Sequence, residues 1–229
     1  MHISKRCMAL GALSCAVAAM PAGAQANWAG WTAGTTGNTT GTATGTVMSG
    51  GNTIGVTYTG NVAFLQLNGA GTNYWQPAST YTNATSGSGP STPDMIAMSG
   101  GASTGTNTLT FSAPVNNLFM AIVSLGPGSQ FTFDHAFTIL SQGTDNWGGS
   151  SSSLSQSGMT LNGQEGSGVI QFTGPISSVS WTDPSYEYWH GFTVGADALA
   201  QQSTVPEPSS LALLGTGLLG LVPTLRRRK

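Results

Sequence analysis

Between Cys7 and Leu225 the chain contains no lysine or arginine. Its six basic residues are Lys5 and Arg6 at one end and Arg226, Arg227, Arg228 and Lys229 at the other. Seven acids lie within residues 27–204, Asp94, Asp134, Asp145, Glu165, Asp183, Glu187 and Asp197, and Glu207 follows them. The formal net charge of −2 therefore hides an anionic interior. Such an interior cannot neutralise phosphates, which excludes nucleic acid as its partner. Phosphate-bearing cofactors recruit the same cations and are disfavoured as well. With 229 residues there is room for one ordinary domain or one large sandwich.

The N-terminal tip reads as an address. Met1–Arg6 carries two positive charges, Cys7–Met20 is small and apolar, and Pro21-Ala22-Gly23-Ala24-Gln25-Ala26 supplies an Ala-x-Ala cleavage site at Ala24 and Ala26. This is the three-part pattern of a secretory signal peptide, with an apolar run too short for a permanent transmembrane helix. Residues 1–26 are expected to engage the Sec translocon and to be removed by signal peptidase, so that the exported chain begins at Asn27. Both cysteines, Cys7 and Cys15, lie in the removed segment. Leu13-Ser14-Cys15 faintly resembles a lipobox, but Ala12 stands where leucine is usual, and Cys15 reads as a hydrophobic filler. The exported body then has no thiol or disulfide and rests on its core alone.

The C-terminal tip reads as a second address. Val205-Pro206-Glu207-Pro208 precedes the uncharged Ser209–Leu225, and Arg226–Lys229 closes the chain. The prolines stop upstream structure from running on. The leucine-rich span would reach about 25 Å as a helix, barely the hydrocarbon thickness of a bilayer. The basic cluster should stay in the cytoplasm, which leaves the body outside. Pro206-Glu207-Pro208, the short apolar span and the terminal arginines together resemble the PEP-CTERM sorting signal of Gram-negative bacteria, a tail also catalogued as an ice-binding-protein C-terminal domain. The resemblance implies processing by an exosortase, a membrane-embedded cysteine protease or transpeptidase, with the tail discarded much as a GPI signal is. It further implies export across the inner membrane, transient tethering by the C-terminus, and a final place at the cell surface or in the extracellular matrix, beside exopolysaccharide. An uncut membrane anchor would have the same topology.

Residues 27–204 form the body between these signals. Ser, Thr, Gly and Asn make up about half of it, which a packed helical domain would not tolerate. Short apolar or alternating bursts between turn residues predict strands at Thr40–Met48, Thr53–Thr59, Asn61–Leu67, Met95–Met98, Thr106–Ser112, Leu118–Leu125, Gln130–Leu140, Gly168–Thr173, Ile176–Thr182 and Tyr188–Val194. Gly60, Gly105, Gly126-Pro127-Gly128 and Gly174-Pro175 are read as separators between strands. Leu118–Val123 is continuously apolar and predicts a central strand covered on both sides. Residues 27–51 suit either a loose Thr/Gly-rich leader or an edge strand, and Ser86–Pro93 and Gly148–Ser157 suit long surface loops. The fold class is all-β: an antiparallel β-sandwich, jelly-roll-like, flanked by an N-terminal signal helix and a C-terminal transmembrane helix at 209–225. Segments such as Asp145–Gly149, Gly163–Phe172 and Tyr188–Gly195 are similar to exported β-rich domains carried ahead of PEP-CTERM tails.

The body holds few parts for chemistry. No Gly-x-Ser-x-Gly elbow supports a Ser-His-Asp triad. His135 beside Asp134, and His190 three residues after Glu187, would point to offset faces if they lay on strands. Paired acids for glycoside hydrolysis would have to be Glu165 and Glu187. No catalytic residue is therefore assigned. No metal site is assigned either, and no cofactor, although Asp183–Glu187 and Asp145-Asn146 offer oxygen ligands of the kind Ca²⁺ takes. Trp181 and Phe192 read as core. Trp147 and Trp189, flanked by glycines or bends, and Tyr186 and Tyr188 offer flat faces on which sugars stack. Thr40-Gly41-Thr42-Ala43-Thr44-Gly45-Thr46 sets threonines on one face, but a single strand is no array, and no thermal hysteresis is expected. Two readings result: a non-enzymatic surface or matrix protein, or a secreted carbohydrate-binding module or glycan-acting hydrolase.

Overall fold

The computed structural model describes residues 25–197. Ala24, the sorting motif Pro206, Glu207 and Pro208, the span 209–225 and the basic cluster Arg226–Lys229 lie outside the described residues. Within them strands predominate and helix is confined to a single turn. In order these are β1 (Ala26–Trp28), β2 (Gly30–Thr35), β3 (Gly37–Ser49), β4 (Asn52–Val62) and β5 (Phe64–Gln66), then a single helical turn, α1 (Ala78–Tyr81). There follow β6 (Met95–Met98), β7 (Thr106–Leu125), β8 (Gln130–Phe133), β9 (Thr138–Asp145), β10 (Gly148–Gly149), β11 (Leu154–Ser157), β12 (Thr160–Gly163), β13 (Gly166–Thr182) and β14 (His190–Asp197). Every strand pair is antiparallel.

Two long strands organise the rest. The expected pairs 106–112 with 118–125 and 168–173 with 176–182 are in fact continuous as β7 and β13, which run alongside each other from Thr106↔Thr182 to Leu125↔Gly166. Gly174-Pro175 does not separate strands. It marks a bulge, where the register slips between Phe172 and Pro175 opposite Asn116, and Gly174 takes a φ of 91°. The reverse error occurs at Gln130–Leu140, which divides into β8 and β9. There Asp134 and His135 leave the strand, and Asp134 Oδ1 accepts the Ser180 N–H at 2.9 Å.

The burial pattern explains why these residues are strands. In the first half of β7, Leu109 and Phe111 are buried while Thr106 and Thr110 are exposed. In its second half Leu118, Met120 and Ile122 enter one apolar cluster, while Phe119, Ala121 and Val123 enter another. The strand is thus covered on both sides, as a continuous apolar run requires. The larger cluster includes Trp31, Tyr58, Phe131, Phe133, Phe172, Trp181 and Phe192; the smaller gathers Trp75, Tyr81, Met95 and Val169 near α1.

Three segments refine the expectation. Residues 30–49 are the β2–β3 hairpin, the edge-strand alternative rather than the loose leader, because each Thr-rich strand buries a sparse opposite face through Trp31, Ala43 and Val47. Gly148–Ser157 contributes β10 and β11, with Ser153 and Leu154 buried, so it is no plain surface loop. Ser86–Pro93 is irregular but pinned: Ser86 is buried, and its carbonyl accepts the Ala26 N–H at 2.8 Å. Ala26 itself, the last residue of the expected signal peptide, opens β1 opposite Asp197.

The threonines are also not confined to one strand. Register aligns Thr35, Thr42, Thr59, Thr108 and Ser180 across five strands, and Thr44, Thr57, Thr110 and Ser178 across four. Hydroxyls pair across strands at 3.0 Å in Thr35···Thr42, Thr108···Ser180 and Thr132···Thr160. The array comes from pairing of sequence-distant strands, and each cross-strand pair adds a few tenths of a kcal/mol to about 1 kcal/mol to the sheet.

Candidate functional site

The segment 183–189, which leads into β14, sends alternate side chains to opposite sides. Asp183 and His190 are fully buried, whereas Tyr186 and Tyr188 are 75% and 88% exposed. His190 Nε2 lies 2.8 Å from Asp183 Oδ2, and Nδ1 contacts Glu187 Oε1. Glu187 also accepts the Gly126 N–H at 3.2 Å, and Phe131 packs edge-on to the imidazole at 5.1 Å. Gly100 leaves the space that the Asp183 carboxylate fills; a Cβ there would come 2.6 Å from Oδ2. Burial alone would lower the His190 pKa. The contacts with Asp183 and Glu187 outweigh it and hold the imidazole at about 9, an imidazolium at neutral pH. The neighbouring Tyr58 hydroxyl is pushed up by burial and then by the charge of Asp183.

This cluster was hidden from sequence reasoning because 183–189 is not strand. The chain bends, so that Glu187 and His190 point the same way. Backbone bonds fix the bend: Gly101 N–H to Asp183 O at 2.8 Å and Glu187 N–H to Ser99 O at 2.9 Å. Asp134 and His135 likewise meet, at 2.6 Å, in an exposed turn.

Trp189, the neighbour of His190, joins a platform of four aromatic rings, of which Phe64, Tyr74 and Trp189 pack against the smaller apolar cluster. Trp189 stands 5.0 Å from Trp147, 5.1 Å from Tyr74 and 5.4 Å from Phe64, and Tyr74 is 5.4 Å from Trp147. Each ring comes from a different part of the chain. Phe64 opens β5 and pairs with Ala97, which also pairs with Gly191, two residues after Trp189. Tyr74 precedes the buried Trp75, which packs edge-on against Tyr81 of α1 at 5.4 Å and so anchors its loop. Trp147 occupies the two-residue turn between β9 and β10, closed by Asp145↔Gly148. Asp145 Oδ1 accepts the Trp147 N–H at 2.7 Å, the local bond by which aspartate holds tight turns. Trp147 is 41% exposed; the other three rings are half-buried.

Of the four aromatics read as sugar-stacking, the structure joins Trp147 and Trp189. Tyr186 and Tyr188 project from the same segment and stack on no ring among the described residues. Phe64 and Tyr74 went unrecognised. The aromatic pair Tyr74-Trp75 in a polar loop was the one available signal; Phe64 looked like any strand residue. Of the oxygen ligands considered for Ca²⁺, the Asp183 carboxylate faces His190, and Asp145 accepts from the Trp147 N–H and the Ser167 hydroxyl. Among the described residues no group of three or more His, Cys, Asp or Glu side chains could hold a metal ion. Glu165 accepts the Ser124 hydroxyl at 3.0 Å, and Glu187 is occupied by His190. A separate cleft of about 330 Å³ lies beside β1, lined by Trp28, Ser88, Thr92 and Asp94, and includes none of the platform rings.

Comparison with known proteins reaches the tail rather than the body. No curated protein and no solved structure matches the chain. The PEP-CTERM protein-sorting motif matches residues 204–229, so an all-β body precedes a tail that supports export, transient C-terminal anchoring and targeting to an exosortase.

Proposed function

We propose that this is a non-enzymatic protein of the cell surface or extracellular matrix, exported, released from its membrane tether by exosortase, and held to exopolysaccharide by the Phe64–Tyr74–Trp147–Trp189 platform. The observation that carries the reading is the convergence of four rings from four chain segments on one surface, with Trp147 open to solvent. A ring needed only for packing would be buried like Trp31 or Trp181, which are 0% and 1% exposed. The body is read as a sandwich in which β7 and β13 pass from one layer to the other, since both halves of each strand feed one apolar cluster. A signal helix and a transmembrane helix flank it in this reading.

The placement of the ends supports the tethered stage. Ala26 and Asp197 are register partners at one end of β14, and Trp189 adjoins the other end, roughly 25 Å away along the strand. Trp189 and the point at which the described body begins and ends therefore lie at opposite ends of β14.

Three measurements test this reading. The intact mass of the exported protein should lack the residues beyond the Pro206-Glu207-Pro208 region; a product still ending in Lys229 would reveal a plain anchor. Trypsin digestion should leave the released body whole, since it has no Lys or Arg. Trp147→Ala and Trp189→Ala should each weaken retention on the native matrix polysaccharide about tenfold, the worth of one lost aromatic contact. Retention unchanged in both variants would discard the platform.

A further inference from the structure

The platform is set in charge of one sign. Asp145 holds the Trp147 turn, and Asp183 and Glu187 belong to the chain segment that carries Trp189. Glu165, next to β13, packs its backbone carbonyl against Gly149 of β10, just beyond Trp147. The imidazolium of His190 is fully buried between two of those carboxylates. No lysine or arginine occurs between Cys7 and Leu225 to offset the rest. At low salt such charges act over tens of ångströms. The exposed aromatic faces add to the same preference, because their quadrupoles attract cations. A glycan bearing ammonium groups meets both attractions, a neutral glycan only the stacking surface, and a polyuronate or sulfated glycan meets repulsion without any arginine to bind it.

We infer that the platform selects glycans by charge, taking amine-bearing hexosamine polymers in preference to neutral ones and rejecting polyanionic ones. The inference rests on the platform being a glycan site, and it names the chemistry of the occupant.

The test uses the exported body with three probes of similar length: a glucosamine oligomer, its fully N-acetylated counterpart, and a polyuronate oligomer. At low ionic strength the amine oligomer should bind at least tenfold more tightly than the acetylated one, and the polyuronate should not bind. The gap should close as salt rises from about 10 mM to about 1 M, over which screening shortens from roughly 30 Å to roughly 3 Å. Asp145→Asn keeps an oxygen to accept the Trp147 N–H and should cut the amine-to-acetyl ratio at least threefold. Equal binding of the amine and acetylated oligomers, or binding of polyuronate, overturns the charge selectivity while leaving the glycan site standing. Amine binding that survives Trp147→Ala unchanged overturns it too, as adsorption to an acidic body. If none of the three binds, the glycan reading itself falls, and the selectivity with it.

Discussion

His190→Ala should leave the body unfolded, or close to it, at ambient temperature. The substitution removes the group that faces the Asp183 carboxylate in a site with no solvent contact. A buried charge stripped of its partner costs about 3–5 kcal/mol, a large share of the roughly 5–15 kcal/mol that holds a domain together. Restoring balance should restore the fold: Asp183→Asn with His190→Gln replaces two charges by neutral hydrogen-bonding groups of similar size, and should melt well above the single variant. The wild-type protein should show the same dependence through pH. The folded-state pKa of His190 is raised to about 9, against about 6.5 in an unfolded chain. Its contribution is therefore complete below pH 6.5 and is lost as pH rises through 9, about 3 kcal/mol in all. Urea midpoints should fall steadily between these values. A midpoint that is flat or rising over that range would show that the imidazolium does not stabilise the fold. The consequence reaches the surface as well, because the 183–189 segment carries Tyr186, Tyr188 and Trp189 on the same bend that the ion cluster anchors.

What the sequence reveals and conceals follows from range. Strands such as Gln130–Phe133, with Phe131 and Phe133 buried and Thr132 exposed, declare themselves within four residues. The covered stretch of β7 does so too, and the tail's Pro-Glu-Pro, apolar span and arginines are legible because their chemistry is local. Continuity is not local. Whether Gly174-Pro175 ends a strand or bulges it depends on what lies opposite, here Asn116 of β7. The candidate site divides the same way. Glycine neighbours set Trp147 apart in the sequence, but its partners Phe64 and Tyr74 arrive through the ladder Phe64↔Ala97↔Gly191 and through the anchoring of Trp75. Asp183, Glu187 and His190 were visible as residues and not as a cluster, because the bend that gathers them is set by backbone bonds to the distant Ser99 and Gly101.

The stability of the platform itself should hinge on Gly168. This residue lies in β13 between Ile122 of β7 and Gln142 of β9, so both edges of the strand are occupied. A Cβ at Gly168 would overlap the Ser141 carbonyl oxygen and come 2.9 Å from Gln142 Cα. Both obstacles are backbone, so no side chain can swing aside, and the β9 ladder must move or open. Gly168→Ala should therefore cost about 3 kcal/mol or more, at the upper end of overpacking penalties. Because β9 runs directly into Asp145 and the Trp147 turn, its displacement should also separate Trp147 from Trp189 and weaken glycan retention in whatever fraction stays folded. Gly30→Ala is the matched comparison, since nothing lies within 4 Å of a Cβ built there. That variant should melt within about 0.5 kcal/mol of the parent and retain glycan fully. If the two variants prove equally stable, the close approach of β9 to β13 does not constrain the body, and the support it lends to Trp147 is lost as an explanation.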